Sequence, residues 1–148
     1  MMSEKMVFYK FCIVISTLCF LLYHTNAAFS EKQLASAKKM ITNICKPRSN
    51  ATDEDLEGMR SGQFSRPAMC FINCVLVSNK WQNKDNTFNK AGALATMKML
   101  PDEYHDEGKR VIELCQDSAK TLDDKCISAM EIGKCFYESS EGIKKFLS

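Results

Sequence analysis

Apolar side chains recur at intervals of three and four residues along most of this 148-residue chain, which is the spacing of one helix face. The sequence has no run of alternating apolar and polar residues of the kind that marks a strand, and no internal repeat. The first clear helix follows a capping box at residues 30–33 and carries apolar residues on one side as far as Cys45. We therefore predict an all-α protein whose first helix runs from about Glu31 to Cys45 and is ended by Pro47.

Five more helices follow from the same signals. An acidic cap at residues 52–55 opens a short second helix, which closes near Gly58 or Gly62. Residues 68–77 are apolar on nearly every side, so the third helix, before Trp81, should lie in the middle of the domain. The polar residues 79–86 predict a loop. The fourth helix is expected to carry Phe88, Leu94, Met97 and Leu100. The fifth should start at Pro101, with Tyr104, Val111, Ile112 and Cys115 facing inward. The sixth should follow a cap at residues 121–124.

The first 27 residues differ in character from the rest. Lys5 and Lys10 precede an apolar run at residues 11–22, and the segment finishes with small residues at 25–27. This run is shorter than the ~20 residues that a membrane-spanning helix needs. We therefore predict a secretory signal peptide at 1–27 and a single helical domain at 28–148, with a C-terminal tail at 136–148.

Charge excludes one class of partner. Without the predicted signal peptide the chain has 18 basic and 17 acidic residues, and no basic run exceeds Lys144 and Lys145. A net charge near +1 without a basic patch does not fit nucleic-acid binding. The expected location is secreted and extracellular, where the environment is oxidising.

The cysteine spacing is the most specific feature of the chain. Cys70 and Cys74 lie four residues apart on one helix face, so they should bond to different segments rather than to each other. Cys126 and Cys135 lie nine residues apart, on opposite sides of the last helix. These two exclusions reduce fifteen possible pairings to ten. The six cysteines that remain after the signal peptide are Cys45, Cys70, Cys74, Cys115, Cys126 and Cys135.

Catalytic and metal-binding chemistry finds little support. A small secreted hydrolase would need a positioned base with a metal or nucleophile, but His105 is the only histidine beyond the signal peptide. It lies among acidic residues and is expected to be a solvated helix residue. Cys70 and Cys74 could in principle bind a metal, but an even cysteine count in an exported chain favours disulfides. We expect no catalytic residue, no metal and no cofactor. Residues 50–52 form a glycosylation sequon, although Thr52 is also a helix cap.

This cysteine spacing resembles that of the six-cysteine insect odorant-binding proteins, the general-odorant and pheromone-binding family. Residues 50–56, 85–89 and 101–104 are also similar to segments of that family, so the resemblance covers essentially the whole predicted domain. It implies about six helices around an apolar cavity, held by three disulfides. The implied pairs are Cys45–Cys74, Cys70–Cys126 and Cys115–Cys135, which obey both geometric exclusions.

The resemblance implies an extracellular carrier that is not an enzyme and that moves a small apolar ligand, such as an odorant, pheromone or related semiochemical, through aqueous fluid. A related carrier of lipids, hormones or amines in saliva, venom or reproductive fluid is the alternative. An olfactory receptor at the membrane surface and a weak homodimer are further partners that the sequence leaves open. Trp81 could stack on the ligand or pin the loop at the surface. The implied ligand contacts are Leu76, Trp81, Phe88, Met97, Leu100, Val111 and Phe136, with Phe146 in a tail that closes the cavity.

Overall fold

The computed structural model describes residues 30–141. Within them the chain forms six α-helices and one 3₁₀ turn, and the only strand-like feature is an isolated bridge between Gln82 and Phe88. The all-α prediction is confirmed. The predicted signal peptide and Phe146 lie outside the described residues. The elements are α1 (Glu31–Ser49), α2 (Asp53–Arg60), α3 (Arg66–Ser78), α4 (Lys90–Met97), the 3₁₀ turn (Asp102–Tyr104), α5 (His105–Cys115) and α6 (Lys125–Ser139).

The end of α1 differs from the prediction. The helix continues past Pro47 to Ser49, so the expectation that Pro47 ends it at Cys45 is wrong. Proline has no backbone N–H, so Pro47 removes one hydrogen bond of the helix. Because Pro47 lies in the last turn, the helix loses little more than that one bond. The Ser49 hydroxyl donates to the carbonyl of Cys45 at 2.9 Å. Asn50 then ends the helix in the left-handed conformation, with φ of 55°.

Helix α3 occupies the middle of the fold, as its apolar sequence predicts. It packs against α1, α2 and α6, while α5 packs against α4 and α6. Two apolar clusters lie along α3. Phe71 and Val75 belong to a small cluster with α1 and α2, and Ile72 and Leu76 belong to a larger one with α4, α5 and α6. Only Val77, near the end of α3, is largely exposed among its aliphatic residues, at 52%.

Three disulfides connect the helices. Cys45–Cys74 joins α1 to α3, Cys70–Cys126 joins α3 to α6, and Cys115–Cys135 joins α5 to α6. These are the pairs that the family resemblance implies. Helix α3 is therefore tied to two neighbours, and α6 is tied from both of its sides. The two bonds of α6 follow from the nine-residue spacing of its cysteines.

Several predicted boundaries move by a few residues. Helix α4 is shorter than expected, since Phe88 lies before it and Leu100 after it. The predicted cap of α6 spans residues 121–124, but Asp124 alone forms it. The carboxylate of Asp124 accepts hydrogen bonds from the backbone N–H groups of Cys126 and Ile127. Tyr104 is exposed at 36%, so its predicted inward position is wrong. In the part of the chain that is described, no helix is both long and apolar enough to span a bilayer.

Candidate functional site

The larger apolar cluster brings together every predicted ligand contact that the structure describes. Five of these residues are buried, and Trp81 and Leu100 are partly buried at its edge. They come from α3, the loop after it, α4, the segment that follows α4, α5 and α6, so no single element could form this cluster. Leu76, Phe88, Met97, Val111, Phe136, Trp81 and Leu100 are the residues concerned.

Aromatic rings form one side of this cluster. The ring of Phe136 lies with its centroid 5.2 Å from that of Trp81 and 5.5 Å from that of Phe88, both at tilted angles. Such distances and tilts are typical of favourable aromatic pairs. The indole N–H of Trp81 donates to the hydroxyl of Thr96 at 3.1 Å. The ring of Trp81 therefore faces the cluster, while its only polar group is already paired inside the protein.

The loop between α3 and α4 places Trp81 and Phe88. The backbone N–H of Trp81 donates to the carbonyl of Leu76 at 2.7 Å, and the N–H of Asn89 donates to the carbonyl of Trp81 at 2.8 Å. Lys80 and Asn86 adopt left-handed conformations, with φ of 59° and 67°. These turns fold the polar loop back on itself, so that Phe88 is buried between flanking polar residues.

Gln82 fixes this loop to the rest of the fold, a role that sequence reasoning missed. Its side chain is buried, and its oxygen accepts from the amide of Asn73 at 2.8 Å. Its amide donates to the carbonyl of Lys125 at 3.1 Å and to the hydroxyl of Ser128 at 3.2 Å. Those partners lie more than forty residues away, so no local pattern could reveal them. The polar residues 79–86 predicted a loop, which is present, but nothing in the pattern indicated that Gln82 is buried.

Helices α4 and α5 approach closely at Met97. A side chain added to Gly108 would overlap the thioether of Met97, so the absence of one at this position lets Met97 reach the cluster. Leu100 is held by His105, whose Nε2 lies 2.8 Å from the Leu100 carbonyl. The expectation that His105 is solvated is wrong, because its side chain is only 26% exposed. The carbonyl can only accept, so Nε2 carries the hydrogen.

The cluster contains aliphatic, aromatic and sulfur-containing side chains but no charged group. Ion pairs lie at the surface, such as the one between Arg66 and Asp124 at 2.6 Å. The hydrogen bond from Arg66 lowers the pKa of Asp124, and the backbone N–H groups at the start of α6 add to this effect. Across residues 30–141, no three side chains of the kinds that hold metals are grouped together. The arrangement suits the burial of an apolar molecule by contact and shape.

Comparison with known proteins agrees with this arrangement. The sequence model of the PBP/GOBP family matches residues 26–139, which is most of the chain. The chain belongs to this family. Among curated relatives, general odorant-binding protein 19a of Drosophila melanogaster is 33% identical over 102 residues, covering 66% of this chain and 69% of the relative. General odorant-binding protein 19d of the same species is 27% identical over 131 residues and covers 85% of each chain.

Solved structures support the same fold. Odorant-binding protein 4 of the predator Chrysopa pallens is 30% identical, with a TM-score of 0.68, and the match covers 76% of this chain and 93% of that one. The resemblance seen in the cysteine spacing is thus confirmed at the level of sequence and of fold. Both curated relatives and this solved structure are named as odorant-binding proteins.

Proposed function

We propose that this chain is an extracellular carrier of small apolar ligands, which it holds in an internal cavity next to the large cluster. The observation that carries this proposal is the convergence of Leu76, Trp81, Phe88, Leu100 and Phe136 from separate elements in one apolar cluster. An ordinary core would also be apolar, but the family match over residues 26–139 favours a binding role. Export through a signal peptide at 1–27 is part of the proposal, as is the transport of odorants, pheromones or related semiochemicals through aqueous fluid.

The energetics are consistent with useful affinity. Burying about 250 to 350 Å² of apolar ligand surface at ~25 cal/mol per Å² provides about 6 to 9 kcal/mol. That range corresponds to roughly micromolar dissociation constants before ordering costs are subtracted. Methionine at position 97 adds adaptability, since a thioether fills irregular space and tolerates ligands of several shapes.

Selectivity should follow shape more than polarity. The indole N–H of Trp81 is bonded to Thr96, so it is not free to recognise a ligand oxygen. Tyr104 and Tyr137 are both more than a third exposed. With these donors engaged or turned outward, apolar contacts dominate the described part of the surface. Analogues that differ in size should therefore differ more in affinity than analogues that differ by one hydroxyl.

Two leucines allow a matched test of the site. Leu100 is partly buried against the cluster, while Leu114 lies on α5 and is 62% exposed. We expect Leu100→Ala to raise the Kd for N-phenyl-1-naphthylamine by about 5- to 30-fold, because about 1 to 2 kcal/mol of apolar contact is lost. Leu114→Ala should leave the Kd within about twofold. The increase in probe fluorescence on binding measures both values.

Trp81 provides a second readout, because it is the only tryptophan of the chain. Its emission should change as the probe saturates the site and stop changing at one equivalent. An unchanged emission at saturation, or equal effects of the two leucine substitutions, would contradict the proposed site.

Phe146 remains a prediction from the resemblance, since it lies outside the described residues. We propose that it contributes to closing the cavity. Phe146→Ala should then weaken probe binding and speed probe release, which stopped-flow fluorescence would measure. Release at the wild-type rate would remove Phe146 from the site without affecting the contacts from the helices.

A further inference from the structure

We propose that Asn50 is an N-glycosylation site that is occupied when the chain is exported. The inference rests on the export part of the proposed function. Residues 50–52 read Asn-Ala-Thr, and this is the only Asn-X-Ser/Thr sequence with X other than proline in the chain. A sequon of this kind is an acceptor when it lies on a surface turn of a secreted protein. The fold supplies that turn.

Asn50 is displayed at a corner between two helices. It ends α1 in the left-handed conformation, with φ of 55°, and is exposed. Its backbone N–H donates to the carbonyls of Lys46 and Pro47. Within residues 30–141 no hydrogen bond engages its side-chain amide. The amide nitrogen can therefore carry a substituent without breaking a hydrogen bond of the described fold.

The space beside Asn50 is open. A surface groove of about 420 Å³ runs past Asn50 between the end of α1, the outer side of α3 and the start of α6. Asn73 and Ser78 provide polar groups along it, and Val77 provides an exposed apolar face. Sugars present hydroxyl groups on their edges and C–H groups on their faces, so this lining suits the first sugars of a glycan.

The chemistry is a simple group transfer. The side-chain nitrogen of Asn50 forms a bond to the anomeric carbon of an N-acetylglucosamine, and the bond from that carbon to the pyrophosphate of a lipid-linked oligosaccharide breaks. The pyrophosphate leaves with the bonding electrons, and the nitrogen loses one proton. The lipid-linked oligosaccharide is the only co-reactant.

Thr52 has a second role that must be separated from the first. Its hydroxyl accepts from the backbone N–H of Asp55 at 3.1 Å, and its own backbone N–H donates to the Asp55 carboxylate at 2.8 Å, which forms the capping box of α2. Its hydroxyl also donates to that carboxylate at 2.8 Å. Thr52 could therefore be present for folding alone. Since asparagine also caps helices well and can still donate to Asp55, Thr52→Asn removes the sequon and retains a cap, while Thr52→Ser retains both.

The experiment is secretion of the full-length chain from insect cells, followed by intact mass measurement before and after peptide-N-glycosidase treatment. Wild type and Thr52→Ser should carry added mass that the enzyme removes, leaving aspartate at position 50. Thr52→Asn should have the mass of the bare polypeptide. Asn50→Gly should likewise have the mass of the bare polypeptide. Glycine readily adopts the left-handed conformation of residue 50, so this variant is expected to fold.

Wild type that is secreted at the bare polypeptide mass would overturn the proposal, and so would added glycan that persists in Asn50→Gly. A parallel sample carries a standard secretory leader in place of residues 1–27. If the native chain stays in the cell while the parallel sample is secreted with a glycan, the export proposal fails and the glycosylation site stands. If the parallel sample is secreted without a glycan, the glycosylation site fails whatever the native leader does.

Discussion

At the scale of single residues, the polar contacts around the apolar cluster are as specific as the apolar ones. Gln82 is buried, and it joins Asn73 of α3 to Lys125 and Ser128 of α6. It thereby holds the loop that carries Trp81 and Phe88. A buried amide with several partners leaves those partners unsatisfied when it is removed, which costs more than the hydrogen bonds themselves contribute.

Gln82→Leu should lower the free energy of unfolding by about 2 to 4 kcal/mol, because the amide of Asn73 and the carbonyl of Lys125 lose their buried partner. Gln63→Leu is the matched control, since Gln63 is exposed, and it should change stability by less than about 0.5 kcal/mol. Urea denaturation followed by circular dichroism measures both. Equal effects of the two substitutions would show that Gln82 does not anchor the loop.

At the scale of elements, the contact between the beginnings of α3 and α6 combines a cap, an ion pair and a disulfide. Asp124 caps α6 with one carboxylate oxygen and accepts from Arg66 of α3 with the other. Cys70 and Cys126 are bonded a few residues further along the same two helices. The electrostatic part of this junction depends on the ionised state of Asp124, because its pKa is lowered in the folded state.

The junction predicts a defined response to acid. A carboxyl whose pKa is lower in the folded state stabilises the fold above its unfolded pKa of about 3.9, and this stabilisation is lost as the pH falls through the folded pKa. Asp124→Asn should therefore unfold at a lower temperature at pH 7 than wild type. Its melting temperature should also fall less steeply than that of wild type below about pH 4. Thermal melts at several pH values give the comparison.

Arg66→Gln should reproduce much of this change, since the bond from Arg66 is the largest cause of the lowered pKa of Asp124. Arg60→Gln removes an exposed pair with Glu57 within α2 and should have little effect. If Arg66→Gln retained the full acid dependence of wild type, the ion pair would not be responsible for it.

At the scale of the whole molecule, the disulfides connect the helices that surround the proposed cavity. An empty and rigid space of ~300 Å³ would cost several kcal/mol at ~24 cal/mol per Å³. Closing the 29-residue separation between Cys45 and Cys74 contributes about 3 to 4 kcal/mol through the unfolded chain. We infer that the disulfides offset the cost of keeping the interior open.

Reduction should therefore affect binding before it affects secondary structure. As reductant is increased, affinity for N-phenyl-1-naphthylamine should fall at concentrations where the far-ultraviolet circular dichroism signal is still near its native value. Samples alkylated at each step and analysed by mass spectrometry show which cysteines are free. A fully reduced and alkylated sample that binds the probe as tightly as the native one would exclude this role for the disulfides.

The sequence predicted the features that depend on local chemistry. Capping boxes at residues 30–33 and 52–55 marked the starts of α1 and α2 correctly, and apolar periodicity identified α3 as central. Family resemblance, rather than helix geometry, selected one disulfide pairing among ten. Pro47 was misread because a proline in the last turn of a helix costs little more than one late hydrogen bond. His105 was misread and the role of Gln82 was missed, because no local sequence pattern indicates which distant or backbone groups they contact.

The sequence could predict which residues belong to the larger apolar cluster, but not how they are arranged in space. Resemblance suggested Leu76, Trp81 and Phe136, but their mutual distances and the bond from Trp81 to Thr96 depend on how the loop folds. The same holds for Met97, whose position requires a glycine on the facing helix. Tertiary contacts of this kind follow from packing across long sequence separations.

The most direct test of the central claim is methyl NMR of the folded, disulfide-bonded protein with ¹³C-labelled methionine, titrated with N-phenyl-1-naphthylamine. Met97 is buried in the cluster, whereas Met40 and Met99 are 62% and 51% exposed and serve as internal controls. Substitution of each methionine by leucine assigns the signals. We predict that the Met97 methyl signal shifts and saturates at one equivalent of probe, while the signals of Met40 and Met99 stay in place. Failure of the probe to bind, or saturation that leaves the Met97 signal unmoved, would contradict it.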